Sequence, residues 1–203
     1  MSENGISAAD VKKLRDLTGA GMMDCKNALV EAGGDLDKAV ERLREKGLAS
    51  AAKRAGRAAN QGLVESYIHF NNTVGVLVEV NCETDFVANT DEFKALAKDI
   101  ALHIASPSAP RFVTRDEVPQ DEIEHESQIF AKQAQESGKP ENVIDKIVEG
   151  KVNAYFKDIV LVDQPFVKDD TKTVQQLLDE TSAKVGEKVA VRRFVRYKLG
   201  EEG

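Results

Sequence analysis

Cysteine is almost missing from this sequence. Two residues, Cys25 and Cys82, among 203 are too few for a disulfide framework or an all-cysteine zinc site, and both read as small buried hydrophobes. No apolar run reaches the roughly 18 residues that a helix needs to span a bilayer. The opening stretch MSENGISAADVKKL lacks the basic-then-apolar pattern of a secretory leader. Together these absences predict a soluble protein of the cytoplasm. The means of covalent catalysis are scarce as well. The sequence holds no GxxxxGK[ST] phosphate loop, GxGxxG fingerprint, HExxH zinc pair or GxSxG elbow. Its three histidines, His69, His103 and His125, are scattered. Among 35 acidic residues a chance carboxylate pair is expected, so no catalytic residue, metal ligand or cofactor is assigned.

Basic residues are outnumbered, 28 against 35, for a net charge of −7. That balance argues against general affinity for nucleic acid, which depends on phosphate neutralisation. The distribution is uneven: residues 1–60 carry +2, residues 61–130 carry −9 and residues 131–203 are neutral.

Helical spacing dominates the beginning. Ser7 precedes Asp10 in a capping pattern, and Val11, Leu14 and Leu17 follow as one stripe. After Thr18-Gly19-Ala20-Gly21, a second stripe carries Met22, Cys25, Ala28, Leu29 and Ala32. Asp35 caps a third helix with Leu36, Ala39, Val40 and Leu43, for which Gly47 supplies a stop. Three short amphipathic helices bury their stripes only by packing together, which predicts a helical domain over residues 1–50. Residues 51–61 read as a semi-rigid linker, and residues 62–203 as a second domain. In the latter, LVESYIHF and VGVLVEV flank Asn71-Asn72-Thr73 as a hairpin, and EKVAVRRFVRYKLG alternates Val189, Val191, Val195, Tyr197 and Leu199 against Arg192, Arg196 and Lys198. Helices are expected between them: one through Phe93, Leu96, Ile100 and Ile104, one over 119–136 with a thin apolar stripe, one over 141–161 that Gly150 interrupts, and one around Val174 to Val185. The fold class is α+β, a three-helix module followed by a small antiparallel sheet with helices packed on it.

Two places break the local pattern. Adjacent Met22 and Met23 cannot share one helical stripe. Met23 either folds back under the Gly19–Gly21 turn as filler or offers an adaptable apolar contact to another protein. After the hairpin, Asn81-Cys82-Glu83-Thr84-Asp85-Phe86-Val87-Ala88-Asn89-Thr90 leaves the sheet as a loop. There Phe86 either tucks onto the following helix or stands as a wedge for a partner.

At these two points the chain resembles a known family. LRDLTGAGMMDCKNALVEAGGDLDKAVERLREKG, then VEVNCETDFVAN and later DQPFVKD, are similar to bacterial translation elongation factor Ts, and the likeness runs from about Val11 to Leu199. The resemblance implies a guanine-nucleotide exchange factor for elongation factor Tu, without covalent chemistry, built from a ubiquitin-associated-type (UBA-like) three-helix domain and an α+β core. It implies that Arg15, Met22 and Met23 touch the nucleotide domain of the GTPase. Thr84, Asp85, Phe86 and Val87 would form the loop that displaces Mg²⁺. Longer family members carry a second, repeat-like half and a helical hairpin for which this length has no room, and short members are associated with homodimers, so a homodimer is expected. Two competing readings are a ribosome- or RNA-associated protein using Lys53, Arg54 and Arg57, and a hydrolase using His103 or His125 with neighbouring carboxylates.

Overall fold

The computed structural model describes residues 6–138 and 140–201, apart from the side chain of residue 48. The first five residues of the stretch read above for a leader, and the last two of the chain, lie outside the described residues. The chain forms two compact units. The first runs through Gly62 and takes in Asn81–Lys94 and Gln176–Ala190; the second is made of Leu63–Val80, Ala95–Gln175 and the residues from Val191 onward.

The first unit begins with helices α1 (Ala8–Thr18), α2 (Met22–Glu31) and α3 (Leu36–Arg54). Each start has a chemical cause. Ser7 Oγ accepts from the Asp10 amide at 3.1 Å and the Asp10 carboxylate accepts from the Ser7 amide at 3.2 Å, a reciprocal cap that removes two unsatisfied donors. The Asp35 carboxylate accepts from the amides of Asp37 and Lys38, both at 3.1 Å. A side-chain cap of this kind stabilises a helix by about 1 kcal/mol. The three helices pack on one another around buried Val11, Leu14, Cys25, Ala28, Leu29 and Ala39. Leu17, expected in the stripe of α1, is exposed. α3 does not stop at Gly47 but continues to Arg54. The Ala-, Lys- and Arg-rich sequence that follows has high helix propensity, and a Cβ at Gly47 would sit 3.2 Å from the Ala183 methyl, so glycine serves close approach there rather than termination.

A hairpin, in the second unit from Leu63 to Val80, joins β1 (Gln61–Ile68) to β2 (Val74–Cys82). Asn72 takes the left-handed φ of 56° that asparagine tolerates, and the Asn71 side chain accepts from the Thr73 amide at 3.1 Å. With β5 (Ala190–Lys198) these strands make a three-stranded antiparallel sheet in the order β1-β2-β5. α5 (Asp91–Ile104) buries Phe93, Leu96, Ile100 and Ile104 as its spacing predicts. α6 (Gln120–Glu136) buries only Ala134 fully and packs on α7 (Glu141–Ile159), which passes through Gly150 without a break. Val160 makes a single parallel bridge to Phe112. A short antiparallel hairpin, β3 (Pro165–Phe166) with β4 (Asp169–Thr173), leads into α8 (Val174–Val185). The class is α+β.

β5 departs from its expected alternation. Val191 is buried, Arg192 and Arg193 are both exposed, and from there Val195, Tyr197 and Leu199 face outward. The side chain of Arg196 turns in, only 10% exposed, and pairs with Glu201 at 2.7 Å. A one-residue slip reverses every later side chain of a strand, so residues assigned to the covered face end on the open one.

The DQPFVKD segment earns its composition from a buried polar network. The Val167 amide donates to His103 Nδ1 at 3.1 Å, so Nε2 carries the proton and donates to Gln164 Oε1 at 2.9 Å. Gln164 Nε2 then donates to the carbonyls of Ser108 and Asp158 at 3.1 and 2.8 Å. His103 is fully buried. Burial, partly opposed by the Gln164 bond, holds the imidazole below its ordinary pKa. The fold therefore refuses a proton that the unfolded chain accepts below about pH 6.5. Stability is complete above that value and declines as the pH falls through it. Urea midpoints measured between pH 7.5 and 5 should fall more steeply for the natural protein than for His103→Gln; equal slopes would remove His103 as the cause.

Candidate functional site

The segment following β2 is a built turn rather than a loose loop. Thr84 has extended backbone and caps a single helical turn, α4 (Asp85–Ala88), its hydroxyl accepting from the Val87 amide at 3.4 Å. Asn89 Nδ2 donates to the Asp85 carbonyl at 2.9 Å, and Thr90 Oγ1 donates to the Val87 carbonyl at 2.8 Å. Thr90 Oγ1 also accepts from the Phe93 amide at 3.3 Å. Both ends of the turn are thus satisfied by side chains of its own sequence.

Helical geometry separates Phe86 from Val87, because neighbours on a helix point about 100° apart. Val87 is turned inward and buried, on a helical turn where a loop is expected from the sequence. Phe86 is 82% exposed and does not tuck onto α5. Cys82 lies beneath, its thiol donating to the Thr84 carbonyl at 3.1 Å. Burial, with the Glu187 carboxylate nearby, pushes that thiol up to about 11, so it is protonated and unreactive at neutral pH.

The backbone before the turn is held from a distant part of the sequence. The Glu187 carboxylate accepts from the amides of Glu83 and Thr84 at 3.1 and 3.0 Å and from the Thr84 hydroxyl at 2.6 Å. Reciprocally, the Glu83 carboxylate accepts from the Lys188 amide at 2.6 Å and pairs with the Arg57 guanidinium at 3.2 Å. The Lys188 amide and then Arg57 hold the Glu83 carboxyl below the usual carboxylate range. The sequence alone gave no sign of this clamp, since its halves stand about 100 residues apart.

The residues near the N-terminus sit close to the turn. Arg15, exposed on α1, lines one shallow groove together with Asp16, Gly19, Val87, Thr90 and Lys184. Gly19 has φ of +67°, a left-handed conformation that favours glycine; a Cβ there would meet only the flexible end of Lys184, at 2.9 Å from Cε. Lys184 reaches on to Glu92 at 3.4 Å. Met22 and Met23 are both exposed, Met23 by 64%. Met22 was expected in the buried stripe with Cys25 and Leu29; as the first residue of α2, after the Gly21 cap, it has no preceding turn to cover it.

Other candidates have structural uses. Arg57 is engaged by Glu83 and Arg54 Nη1 reaches the Ser182 carbonyl at 3.5 Å, so two of the three linker cations are directed at the chain itself. His103 is buried with both ring nitrogens bonded. Among the described residues no helix is long and apolar enough to cross a membrane.

A family profile described as elongation factor Ts matches residues 6–201. The chain belongs to the elongation factor Ts family. Curated relatives bearing that name include those of Desulforamulus reducens, 60% identical over 97% of this chain and 90% of the relative, and Geobacter metallireducens, 58% identical with the same coverage. That of Caldanaerobacter subterraneus is 56% identical over 97% of this chain and 98% of the relative. By family, then, the protein is a translation elongation factor of protein biosynthesis.

The opposite orientations of Phe86 and Val87 make a stability prediction. Phe86→Ala removes an exposed ring and should change unfolding free energy by less than about 0.5 kcal/mol. Val87→Ala removes two buried methyl groups and should cost about 2 kcal/mol. Denaturant titration of both variants checks the contrast; equal losses would mean that Phe86 is packed.

Proposed function

We propose that this family member is a guanine-nucleotide exchange factor for elongation factor Tu. It binds the GDP-bound GTPase, displaces Mg²⁺ from the nucleotide site, promotes GDP release and stays bound until GTP enters. The observation that carries this reading is the exposed Phe86 ring on a turn whose backbone is anchored at both ends. Thr84, Asp85, Phe86 and Val87 form the exchange element, with Val87 as its buried foot and Phe86 as its projecting edge. Arg15, Met22 and Met23 dock the helical domain, residues 1–50, on the nucleotide domain of the GTPase. Residues 51–61 link it to the core, residues 62–203.

The mechanism needs no covalent step, and the factor is not an enzyme in that sense. Nucleotide affinity in a GTPase rests on Mg²⁺ bridging phosphate oxygens and on backbone groups cradling the phosphates. A rigid aromatic edge forced beside that site moves the metal's ligands, and each 1.4 kcal/mol of distortion weakens nucleotide binding about tenfold. A mobile ring would yield instead of the GTPase, so rigidity of the turn is part of the function. By linkage, nucleotide weakens the factor's grip as much as the factor weakens the nucleotide's. Incoming nucleotide therefore ejects the factor, in a cycle that belongs to the cytoplasm.

Release of a fluorescent GDP analogue from elongation factor Tu tests the reading. The natural protein should accelerate release, and Phe86→Ala should lose at least about tenfold of the acceleration, the effect of 1.4 kcal/mol. An unchanged rate for Phe86→Ala would remove the wedge. RNA binding that weakens steeply with salt would favour the RNA-associated reading.

The working form is a homodimer in this proposal. The open face of the sheet carries Val64, Ile68, Leu77, Val195 and Tyr197, all exposed, an apolar surface of a kind that a soluble protein ordinarily covers. Sedimentation should give a dimer at micromolar concentration, and Leu77→Lys combined with Tyr197→Glu should give a folded monomer. A monomeric natural protein would overturn it.

A further inference from the structure

We propose that Glu187, on the turn between α8 and β5, is a positioning residue for exchange: its carboxylate sets the aim of Phe86 by holding the backbone that enters α4. The inference rests on the exchange reading above.

Glu187 uses both oxygens on one short segment. Oε2 receives the amides of Glu83 and Thr84, and Oε1 receives the Thr84 hydroxyl. Two of these three donors belong to Thr84, the residue that caps α4, so the direction of the single helical turn, and with it the Cα–Cβ vector of Phe86, follows from where Glu187 puts the cap. Charge-assisted bonds of this kind are about twice as strong as neutral ones. A surface loop has no comparable need for three of them, because water would satisfy the same donors.

Glu187 is itself braced. The Ser182 hydroxyl donates to its carbonyl at 2.6 Å, and the Gly186 amide donates to the Ser182 carbonyl at 2.9 Å. The next residue closes the loop of bonds through the Lys188 amide on Glu83, and Lys188 Nζ donates to the Arg57 carbonyl at 2.9 Å. The exposed ring thus stands on a frame of directional bonds, those among Glu83, Thr84, Glu187 and Lys188 spanning 2.6 to 3.1 Å. A ring held this way transmits force to a partner, and one released from it spends part of its binding free energy on becoming ordered.

The test reads the rate of GDP release from elongation factor Tu against factor concentration, which separates the maximal rate from the half-saturating concentration. Glu187→Ala should lower the maximal rate about tenfold, while half-saturation moves less than about twofold because Arg15, Met22 and Met23 still dock. In a Phe86→Ala background the same substitution should do nothing further, since both act through one ring. Without any GTPase, the amides of Glu83 and Thr84 should exchange hydrogen faster in Glu187→Ala. If Glu187→Ala does not fold, Glu187→Gln keeps the shape and one acceptor and should show the same pattern with a smaller loss. Full additivity of the two substitutions, or a parallel change of rate and half-saturation, would reduce Glu187 to a general brace and overturn the proposal. Acceleration by the natural protein with natural behaviour of Glu187→Ala overturns the positioning role alone, whereas no acceleration by the natural protein overturns the exchange reading first.

Discussion

Two carboxylates, each holding the backbone of the other's segment, constrain the candidate site more than any other interaction. Glu83 takes the Lys188 amide and Glu187 takes the amides of Glu83 and Thr84. Such a pair closes a loop of about 100 residues, and closure entropy grows only slowly with loop length. What the bonds must overcome is therefore mainly local ordering, of which each fixed backbone residue costs about 1–2 kcal/mol. Each carboxylate is compensated by amides and, for Glu83, by Arg57, so the clamp avoids the penalty of an uncompensated charge.

The geometry of α4 follows from that constraint. One helical turn is too short to be stable by itself, so its existence depends on Thr84 capping it, on Asn89 and Thr90 closing it, and on Val87 burying beneath it. Val87 and Ala88 together occupy the buried side of the turn, and the 100° step of the helix turns Phe86 away from it. The exposure of an aromatic here is thus a consequence of local stereochemistry rather than of loose packing. The same logic places Met22 outside: a helix that starts after Gly21 cannot cover its own first residue.

How far the sequence could be read follows from where each determinant lies. Helix starts were legible because Ser7 with Asp10, and Asp35, cap through residues within three positions. The stripe of α5 and the Asn71–Thr73 turn were legible for the same reason. Apart from Met22 at the start of α2, the departures described here have non-local causes. Gly47 looked like a stop because its real reason, the nearness of Ala183, is contributed by a helix far along the chain. The face of β5 beyond Val191 was misassigned because alternation reports parity, not register. Two-residue β3 is too short for any periodicity to register. In the candidate site the motif residues were nameable from their likeness to a family, but Glu187, Lys188 and Arg57 carried no local signal, since each acts on a segment it meets only after folding.

The charge distribution gains meaning from the same frame. The −9 of residues 61–130 includes Glu83 and Glu92, which are answered inside the first unit by Arg57, the Lys188 amide and Lys184. Counted by net charge, this region would repel any polyanion. Counted by partners, Glu83 is engaged by the Lys188 amide and Arg57, and Glu92 by Lys184; the surface that the proposal uses for recognition is the edge of Phe86 with Arg15, Met22 and Met23. A nucleotide site reached by that edge would be opened by shape and strain, not by electrostatic attraction. The proposed mechanism accordingly needs stiffness in the factor before it needs affinity, and stiffness is what an array of short bonds among Glu83, Thr84, Glu187 and Lys188 provides.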